Sequence, residues 1–197
     1  MPDSSKKIAV VCASNMNRSM EAHRVLALKG YNVQSYGTGT AVRLPGPDAR
    51  TPNVYAFGEK SYKEIYEDLA QKNYDLYHSN GLLNMLQRNM KIKERPQKWQ
   101  IQPDIDLNII FTFEDRVFDH VVEDLNNHSS ITNAPCHVLN LAVRDNQEES
   151  VIAAQEIAFF LKELETYGED WEDHMESAIS KFEARYNRKL LYALCFL

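Results

Sequence analysis

Short apolar runs and longer amphipathic stretches alternate along most of the chain. Residues 7–11 carry a short, continuous apolar run of the kind found in buried strands of a parallel sheet. Residues 20–29 place their apolar side chains at helical spacing and are followed by Gly30, and residues 33–36 predict a second strand. A strand, a helix and a strand within so short a span indicate a right-handed parallel unit.

The alternation resumes near residue 107 and continues through the rest of the sequence. The further predicted elements are a strand at 107–113, a helix at 114–126, a strand at 136–141, helices at 148–167 and around 171–182, and a last strand at 189–196. Together these elements predict an α/β fold: a doubly wound, mostly parallel sheet of about five strands flanked by helices.

Residues 41–105 separate the second predicted strand from the third, and this connection is far longer than an ordinary α/β crossover. Within it Tyr62 and Ile65 belong to a stretch with helical spacing, and residues 81–86 suggest a second helix. No convincing linker interrupts the sequence. We therefore predict a single domain over residues 1–197, with a helical insert at 41–105 that borders the functional site.

Composition and charge narrow the classes of function. The net charge of −6 argues against general nucleic-acid binding, which requires a basic face. No apolar run approaches the roughly 18 residues of a membrane span, and residues 1–7 do not resemble a signal peptide, so we expect a soluble intracellular protein. The three cysteines lie far apart, which argues against a disulfide framework and against a zinc ribbon.

The candidate chemistry lies where the first predicted strand ends. Cys12 is followed by five residues, then by Arg18 and Ser19, and helix-forming sequence begins there. A strand that ends at Cys12 holds its sulfur at the carboxyl edge of the sheet, where open α/β folds bind ligands. A helix that begins near Ser19 directs free amides at the loop, which favours both a thiolate and a bound phosphate dianion.

These residue types suit phosphoryl transfer through a thiolate. Ser19 can donate its hydroxyl to the sulfur, and Arg18 offers a planar fork to two phosphate oxygens, which a lysine cannot match. We predict that Cys12 is the nucleophile and that Arg18 clamps the phosphate. The amides predicted to hold the phosphate oxygens are those of Ala13, Ser14, Asn15, Met16, Asn17 and Arg18.

The leaving oxygen also needs a proton donor, which must come from another loop at the same sheet edge. Asp145, in the polar turn after the fourth predicted strand, meets this requirement better than any other acid. It can alternatively be a solvated turn residue or a cap for the helix that follows. His137 and His23 are further candidates, although histidines within a strand or on a helix face are more often packed or solvated.

The loop residues Cys12, Asn15, Arg18 and Ser19 resemble those of low-molecular-weight protein tyrosine phosphatases. A more specific resemblance is to the small eukaryotic phosphatases of the RNA polymerase II carboxy-terminal domain (CTD). The segments that carry it are residues 10–12, 15, 17–23, 36–40, 44–47, 52–55, 80–81, 121–126 and 145–146. They span nearly the whole chain, including the insert.

This second resemblance implies a metal-free, cofactor-free serine phosphatase that acts on the CTD heptad Tyr-Ser-Pro-Thr-Ser-Pro-Ser. The fifth-position phosphoserine is its main substrate, the seventh is a further one, and the following proline is bound in the cis form. The resemblance further implies a nuclear, monomeric protein that acts in transcription and mRNA 3′-end processing with a symplekin-type scaffold, without contacting nucleic acid or membrane.

The same resemblance implies the roles of individual residues. Cys12 is the nucleophile and forms a phosphocysteine intermediate, and Asp145 is the general acid. The residues implied to line the peptide groove, to which the insert contributes, are Arg43, Leu44, Pro45, Tyr77, Leu82 and Met85. The apolar members of this set can equally be ordinary core residues of the insert.

Some positions depart from the family patterns. Ala142 stands where the CTD phosphatases have an aspartate, Arg43 replaces a lysine, and Asn17 replaces the second loop cysteine of the tyrosine phosphatases. Three alternatives therefore stay open: a low-molecular-weight tyrosine phosphatase, an arsenate reductase, and a catalytically weakened paralogue that only binds phospho-CTD or symplekin. The insert contains no cysteine to resolve a thiol intermediate, which disfavours the reductase.

Overall fold

The computed structural model describes residues 6–101, 106–127 and 133–197. Within these residues the main sheet has five strands, which are β1 (Lys7–Cys12), β2 (Asn32–Gly37), β5 (Ile109–Thr112), β6 (Pro135–Leu141) and β7 (Leu190–Phe196). Their order across the sheet is β2-β1-β5-β6-β7. All neighbouring strands are parallel except β7, which runs antiparallel to β6. The predicted α/β architecture is thereby confirmed.

Helices cover both faces of this sheet because successive strand residues point to opposite sides. Ile8 and Val10 of β1 belong to the cluster packed by α1 (Arg18–Leu28), α5 (Gln147–Glu165) and α6 (Met175–Tyr186). Ala9 and Val11 belong to the opposite cluster, packed by α4 (Asp115–Asn127). The near-continuous apolar sequence of β1 reflects this burial on both faces.

The insert contains a small hairpin, two helices and a short 3₁₀ helix. The hairpin pairs β3 (Val42–Leu44) with β4 (Asn53–Tyr55), and it is followed by α2 (Tyr62–Ser79), α3 (Leu82–Met90) and the 3₁₀ helix Trp99–Ile101. The two helices agree with the sequence prediction, whereas the hairpin was not predicted. Its strands of three residues each are too short to show a period.

The insert has its own apolar core, which is continuous with the start of α1. Met16 and Met20 pack with Tyr62, Ile65 and Leu69 of α2, and all five side chains are buried. A capping box at Ser61 fixes where α2 begins. The insert therefore lies directly against the loop between β1 and α1.

Element boundaries differ from the predictions by a few residues. Helix α1 begins at Arg18, two residues earlier than expected, and the third strand is confined to Ile109–Thr112. Residues 102–105, within the predicted insert, lie outside the described residues. Among the residues that the structure describes, none of the helices is long and apolar enough to cross a membrane.

Candidate active site

Cys12 is the last residue of β1, and the loop 13–17 connects it to α1. The hydroxyl of Ser19 lies 3.1 Å from the Cys12 sulfur. The same hydroxyl oxygen accepts a hydrogen bond from Asn15 Nδ2 at 3.0 Å, so its own hydrogen is free to point at the sulfur. This arrangement stabilises a negatively charged sulfur at the amino end of a helix.

Asn15 holds the loop in shape. It is fully buried and adopts a left-handed conformation with φ of 53°, which asparagine tolerates better than most residues. Its carbonyl accepts from the Tyr62 hydroxyl at 2.7 Å, and its Oδ1 accepts from the backbone amide of Gln97 at 3.0 Å. Both partners belong to the insert, which thus supports the loop from behind.

The turn after β2 pins the first part of the loop. Thr38 N donates to Cys12 O at 3.0 Å, and Gly39 N donates to Ala13 O at 2.9 Å. At Gly37 a Cβ atom would lie 2.8 Å from Ala13 O and 2.9 Å from Asn15 N, which is closer than a Cβ atom approaches other heavy atoms in proteins. Glycine is therefore required here so that two backbone segments can come together.

Arg18 is almost fully buried, with 5% of its side chain exposed, and the ends of its guanidinium are fixed. Its Nη1 donates to Val143 O at 3.0 Å and to Phe113 O at 3.3 Å. Its Nη2 donates to Glu114 Oε2 at 2.6 Å. These partners lie on the loops after β5 and β6, so the sheet edge itself orients the guanidinium.

The remaining nitrogen of Arg18 is available to an anion. Its Nε is buried and has no hydrogen-bond partner among the described residues, and it lies 3.6 Å from Asp145 Oδ1. Burial alone would lower the pKa of Arg18, but the nearby charges of Cys12, Asp145 and Glu114 raise it above its usual value. The guanidinium thus stays charged beside the sulfur.

Asp145 lies in the turn between β6 and α5, at the same sheet edge as Cys12. Its side chain is 62% exposed, and its Oδ1 accepts a hydrogen bond from Asn17 Nδ2 at 3.0 Å. The neighbouring residue, Asn146, is the one that caps α5, with its side chain accepting from Glu149 N at 2.8 Å. Asp145 itself is left to face the site.

A pocket of about 280 Å³ opens above the Cys12 loop. Its lining residues are Cys12, Ser14, Met16, Asn17, Arg43, Leu44, Pro45, Asn80, Gly81, Leu82, Met85, Asp145, Asn146 and Gln147. Five of the six residues predicted for the groove are in this set. The sixth, Tyr77, is 2% exposed and does not line the pocket; its hydroxyl accepts a hydrogen bond from Asn53 Nδ2 at 3.0 Å.

The description of the family model that matches residues 6–197 is "Ssu72-like protein". This chain belongs to the Ssu72-like family.

Relatives in the family match over their full length. The chain is 44% identical to the human RNA polymerase II C-terminal domain phosphatase SSU72 over 196 residues, covering 100% of both chains. It is 43% identical over 198 residues to the Caenorhabditis elegans phosphatase ssup-72, again covering 100% of both. These identities make the whole chain, insert included, comparable with the Ssu72 phosphatases.

Solved structures agree with this assignment. Drosophila melanogaster Ssu72, crystallised with symplekin and a cis peptidomimetic CTD phospho-Ser5 peptide, aligns with a TM-score of 0.93 at 42% identity, covering 99% of this chain and 100% of that one. A second D. melanogaster structure, of the serine phosphatase of the RNA polymerase II CTD, has a TM-score of 0.92 at 44% identity, covering 97% and 99%.

Sequence reasoning missed several supports of this Ssu72-like site. Arg88 of α3 donates from Nη2 to Met16 O at 2.9 Å and from Nη1 to Glu21 Oε2 at 3.0 Å. Asn89 Nδ2 also donates to Met16 O, at 2.8 Å. The pocket residues Asn80 and Gly81 were not predicted as site residues either, although an Asn-Gly pair is a recognisable turn signal.

The two histidines considered as acids lie away from the pocket. His137 is buried in β6, where its Nδ1 lies 2.9 Å from the Tyr192 hydroxyl and burial lowers its pKa. His23 Nδ1 lies 2.9 Å from Ser35 Oγ, and burial together with the charge of Lys93 lowers the pKa of His23 to about 4. Neither lines the pocket with Cys12.

The other two cysteines face each other across β6 and β7. Cys136 and Cys195 are register partners and both are buried. Burial, and then the neighbouring Cys195, raise the pKa of Cys136 to about 12, so it is an unreactive thiol. Within the described parts of the chain, no three His, Cys, Asp or Glu side chains are grouped as a metal site requires.

Proposed function

We propose that this protein is an RNA polymerase II CTD phosphatase that removes phosphate from serine through a phosphocysteine intermediate. The observation that carries the proposal is that Cys12 and Asp145 line one pocket, with the buried Arg18 Nε 3.6 Å from Asp145 Oδ1, in a chain whose full-length relatives are CTD phosphatases. The fifth-position phosphoserine before a cis proline is the proposed substrate, and the seventh-position phosphoserine is a further one.

In the first step the Cys12 sulfur attacks the phosphorus in line. The S–P bond forms as the P–O bond to the substrate serine breaks, and Asp145 gives its proton to the departing serine oxygen. The charge of the transition state lies on three equatorial oxygens. The loop amides from Ala13 to Arg18 and the unpaired Nε of Arg18 would stabilise them.

In the second step water replaces the sulfur. The Asp145 carboxylate accepts a proton from the attacking water, the O–P bond forms, and the S–P bond breaks to release Cys12 as a thiolate and inorganic phosphate. The hydroxyl of Ser19, 3.1 Å from the sulfur, stabilises that leaving thiolate. Asp145 therefore acts as acid and then as base.

The insert would supply the walls of the peptide groove. Leu44 and Pro45, at the end of the hairpin strand β3, face Leu82 and Met85 of α3 across the pocket, with Arg43 at its rim. Apolar walls suit the prolines of the heptad, and the exposed guanidinium suits its phosphates. On this proposal residues 1–197 are one domain, and residues 41–105 form part of the groove.

Two further properties belong to the proposal. As in the Drosophila complex, symplekin is the proposed scaffold partner, which implies a nuclear role in mRNA 3′-end processing. Ala142 is the point at which turnover would differ from that of other members. It offers no carboxylate, and its carbonyl accepts a hydrogen bond from Arg188 Nη2 at 2.6 Å.

The decisive experiment compares kcat/KM on a CTD phosphoserine-proline peptide with kcat/KM on a phosphotyrosine peptide. We expect the phosphoserine peptide to be preferred, and a clear preference for phosphotyrosine would refute the proposed specificity. Single-turnover phosphate release should disappear in Cys12→Ser. If the wild type releases phosphate no faster than this variant, the protein is a binding paralogue and not an enzyme.

The role of Asp145 has its own test. Asp145→Asn removes the transferable proton, so it should slow turnover of phosphoserine, whose alkoxide is a poor leaving group. An activated aryl phosphate needs little protonation and should be affected far less. Equal losses on both substrates would contradict a general-acid role.

A further inference from the structure

Asn17 does not make the contact that its position in the chain favours. It occupies the N-cap of α1, where an asparagine side chain usually accepts a hydrogen bond from an amide of the first turn. The Asn17 side chain makes no such bond. Its Nδ2 instead donates across the site to Asp145 Oδ1, at 3.0 Å. Local rules that are broken in this way are expected at functional positions.

The backbone on both sides of Asp145 is already fixed. Val143 N donates to Phe113 O at 2.9 Å, and Val143 O accepts from Arg18. On the other side Asn146 caps α5. The exposed carboxyl group of Asp145 is therefore what remains to be oriented. In the described part of the chain, the side chain of Asp145 receives a direct hydrogen bond from Asn17. Arg18 Nε is farther away, at 3.6 Å from Asp145 Oδ1.

In a protonated carboxyl group the carbonyl oxygen is a better hydrogen-bond acceptor than the hydroxyl oxygen. While Asn17 donates to Oδ1, a neutral Asp145 is therefore favoured to carry its proton on Oδ2. We propose that Asn17 is a positioning residue for the general acid, which holds Oδ1 and reserves Oδ2 for the proton delivered to the leaving serine oxygen. This inference rests on the proposed function, with Asp145 as the acid.

The first test uses Asn17→Ala, which removes the side-chain donor and keeps the backbone amide that faces the phosphate. We expect kcat on a CTD phosphoserine peptide to fall about 10- to 30-fold, less than the roughly 100-fold that a 1 Å misplacement of a catalytic group can cost. On an activated aryl phosphate kcat should fall less than about 3-fold, because little protonation is required. Inhibition by inorganic phosphate should be unchanged, which reports that the loop has kept its shape.

The second test places Asn17→Ala in the Asp145→Asn background. Because this background has no acid to position, the added substitution should lower kcat on the phosphoserine peptide by less than about 2-fold. If Asp145→Asn separates the two substrates as expected but Asn17→Ala costs the same in both backgrounds, the inference is overturned and the proposed function stands. If Asp145→Asn lowers turnover of both substrates equally, the acid role fails and the inference fails with it.

Discussion

Replacing Arg88 by methionine tests how strongly the insert supports the phosphate loop. The Arg88 guanidinium donates to the carbonyls of Met16 and Asn17 and to the buried Glu21. Methionine keeps most of the apolar stem and removes every one of these donors. Arg88→Met should therefore destabilise the protein and loosen the loop, although residue 88 lies 70 positions beyond Arg18 in the chain.

The size of the destabilisation depends on which hydrogen bonds remain once Arg88 is replaced. Removing one member of a buried ion pair commonly costs about 3–5 kcal/mol, because the other charge is left alone. Here Glu21 keeps its bonds to Arg24, and Met16 O keeps its bond from Asn89. The cost should therefore lie near that of lost charged hydrogen bonds, about 2–3 kcal/mol. For a chain of this length that lowers Tm by about 4–12 °C.

The assay is urea unfolding followed by circular dichroism, with Arg24→Met as the matched control. Arg24 also binds Glu21, but its side chain is 38% exposed, so its loss should cost less than about 1 kcal/mol. If Arg88→Met is no more destabilising than Arg24→Met, the insert does not support the loop in this way. The kcat on a phosphoserine peptide should fall with Arg88→Met and stay near the wild-type value with Arg24→Met.

Two further predictions concern the elements around the loop. Gly37→Ala should lower kcat at least about 10-fold and weaken inhibition by inorganic phosphate, because the added Cβ would displace Ala13 and Asn15. Unchanged inhibition by phosphate would contradict this prediction. His23 has a folded pKa of about 4, through burial and Lys93, against about 6.5 in an unfolded chain. Only the unfolded state binds that proton between these values, so stability should fall as pH drops from about 6.5 to 4. His23→Gln should flatten this fall in urea titrations at several pH values, and an unchanged slope would show that another group is responsible.

The main sheet was predictable because its strands repeat a simple pattern. The interior of β1 is apolar on both faces, and α1 follows at helical spacing, so both elements are visible in the sequence. The hairpin strands β3 and β4 have only three residues each, and their pairing depends on the turn between them and on contact with α2. Such short strands are set by tertiary packing and leave no periodic signal.

In the candidate site, too, some features could be predicted from the sequence and others could not. The position of Cys12, Arg18 and Asp145 at one edge of the sheet could be predicted, because Cys12 ends β1 and the other two come soon after strands whose carboxyl ends share that edge. Tyr77, carried over by resemblance, is buried and does not line the pocket. Arg88 could not be predicted as a support of the loop, since its contacts depend on how the insert packs against α1. The bond from Asn17 to Asp145 joins residues 128 positions apart and has no local signature.

The contacts between the insert and Asn15 limit how this chain can change in evolution. Tyr62 and Gln97 bond to Asn15 directly, and Arg88 and Asn89 hold the neighbouring carbonyl. An evolutionary deletion of the insert would therefore remove the back wall of the phosphate loop together with the peptide groove. Substitutions that retune peptide preference should accumulate on the outward side of the hairpin and of α3, where they leave these inward bonds intact.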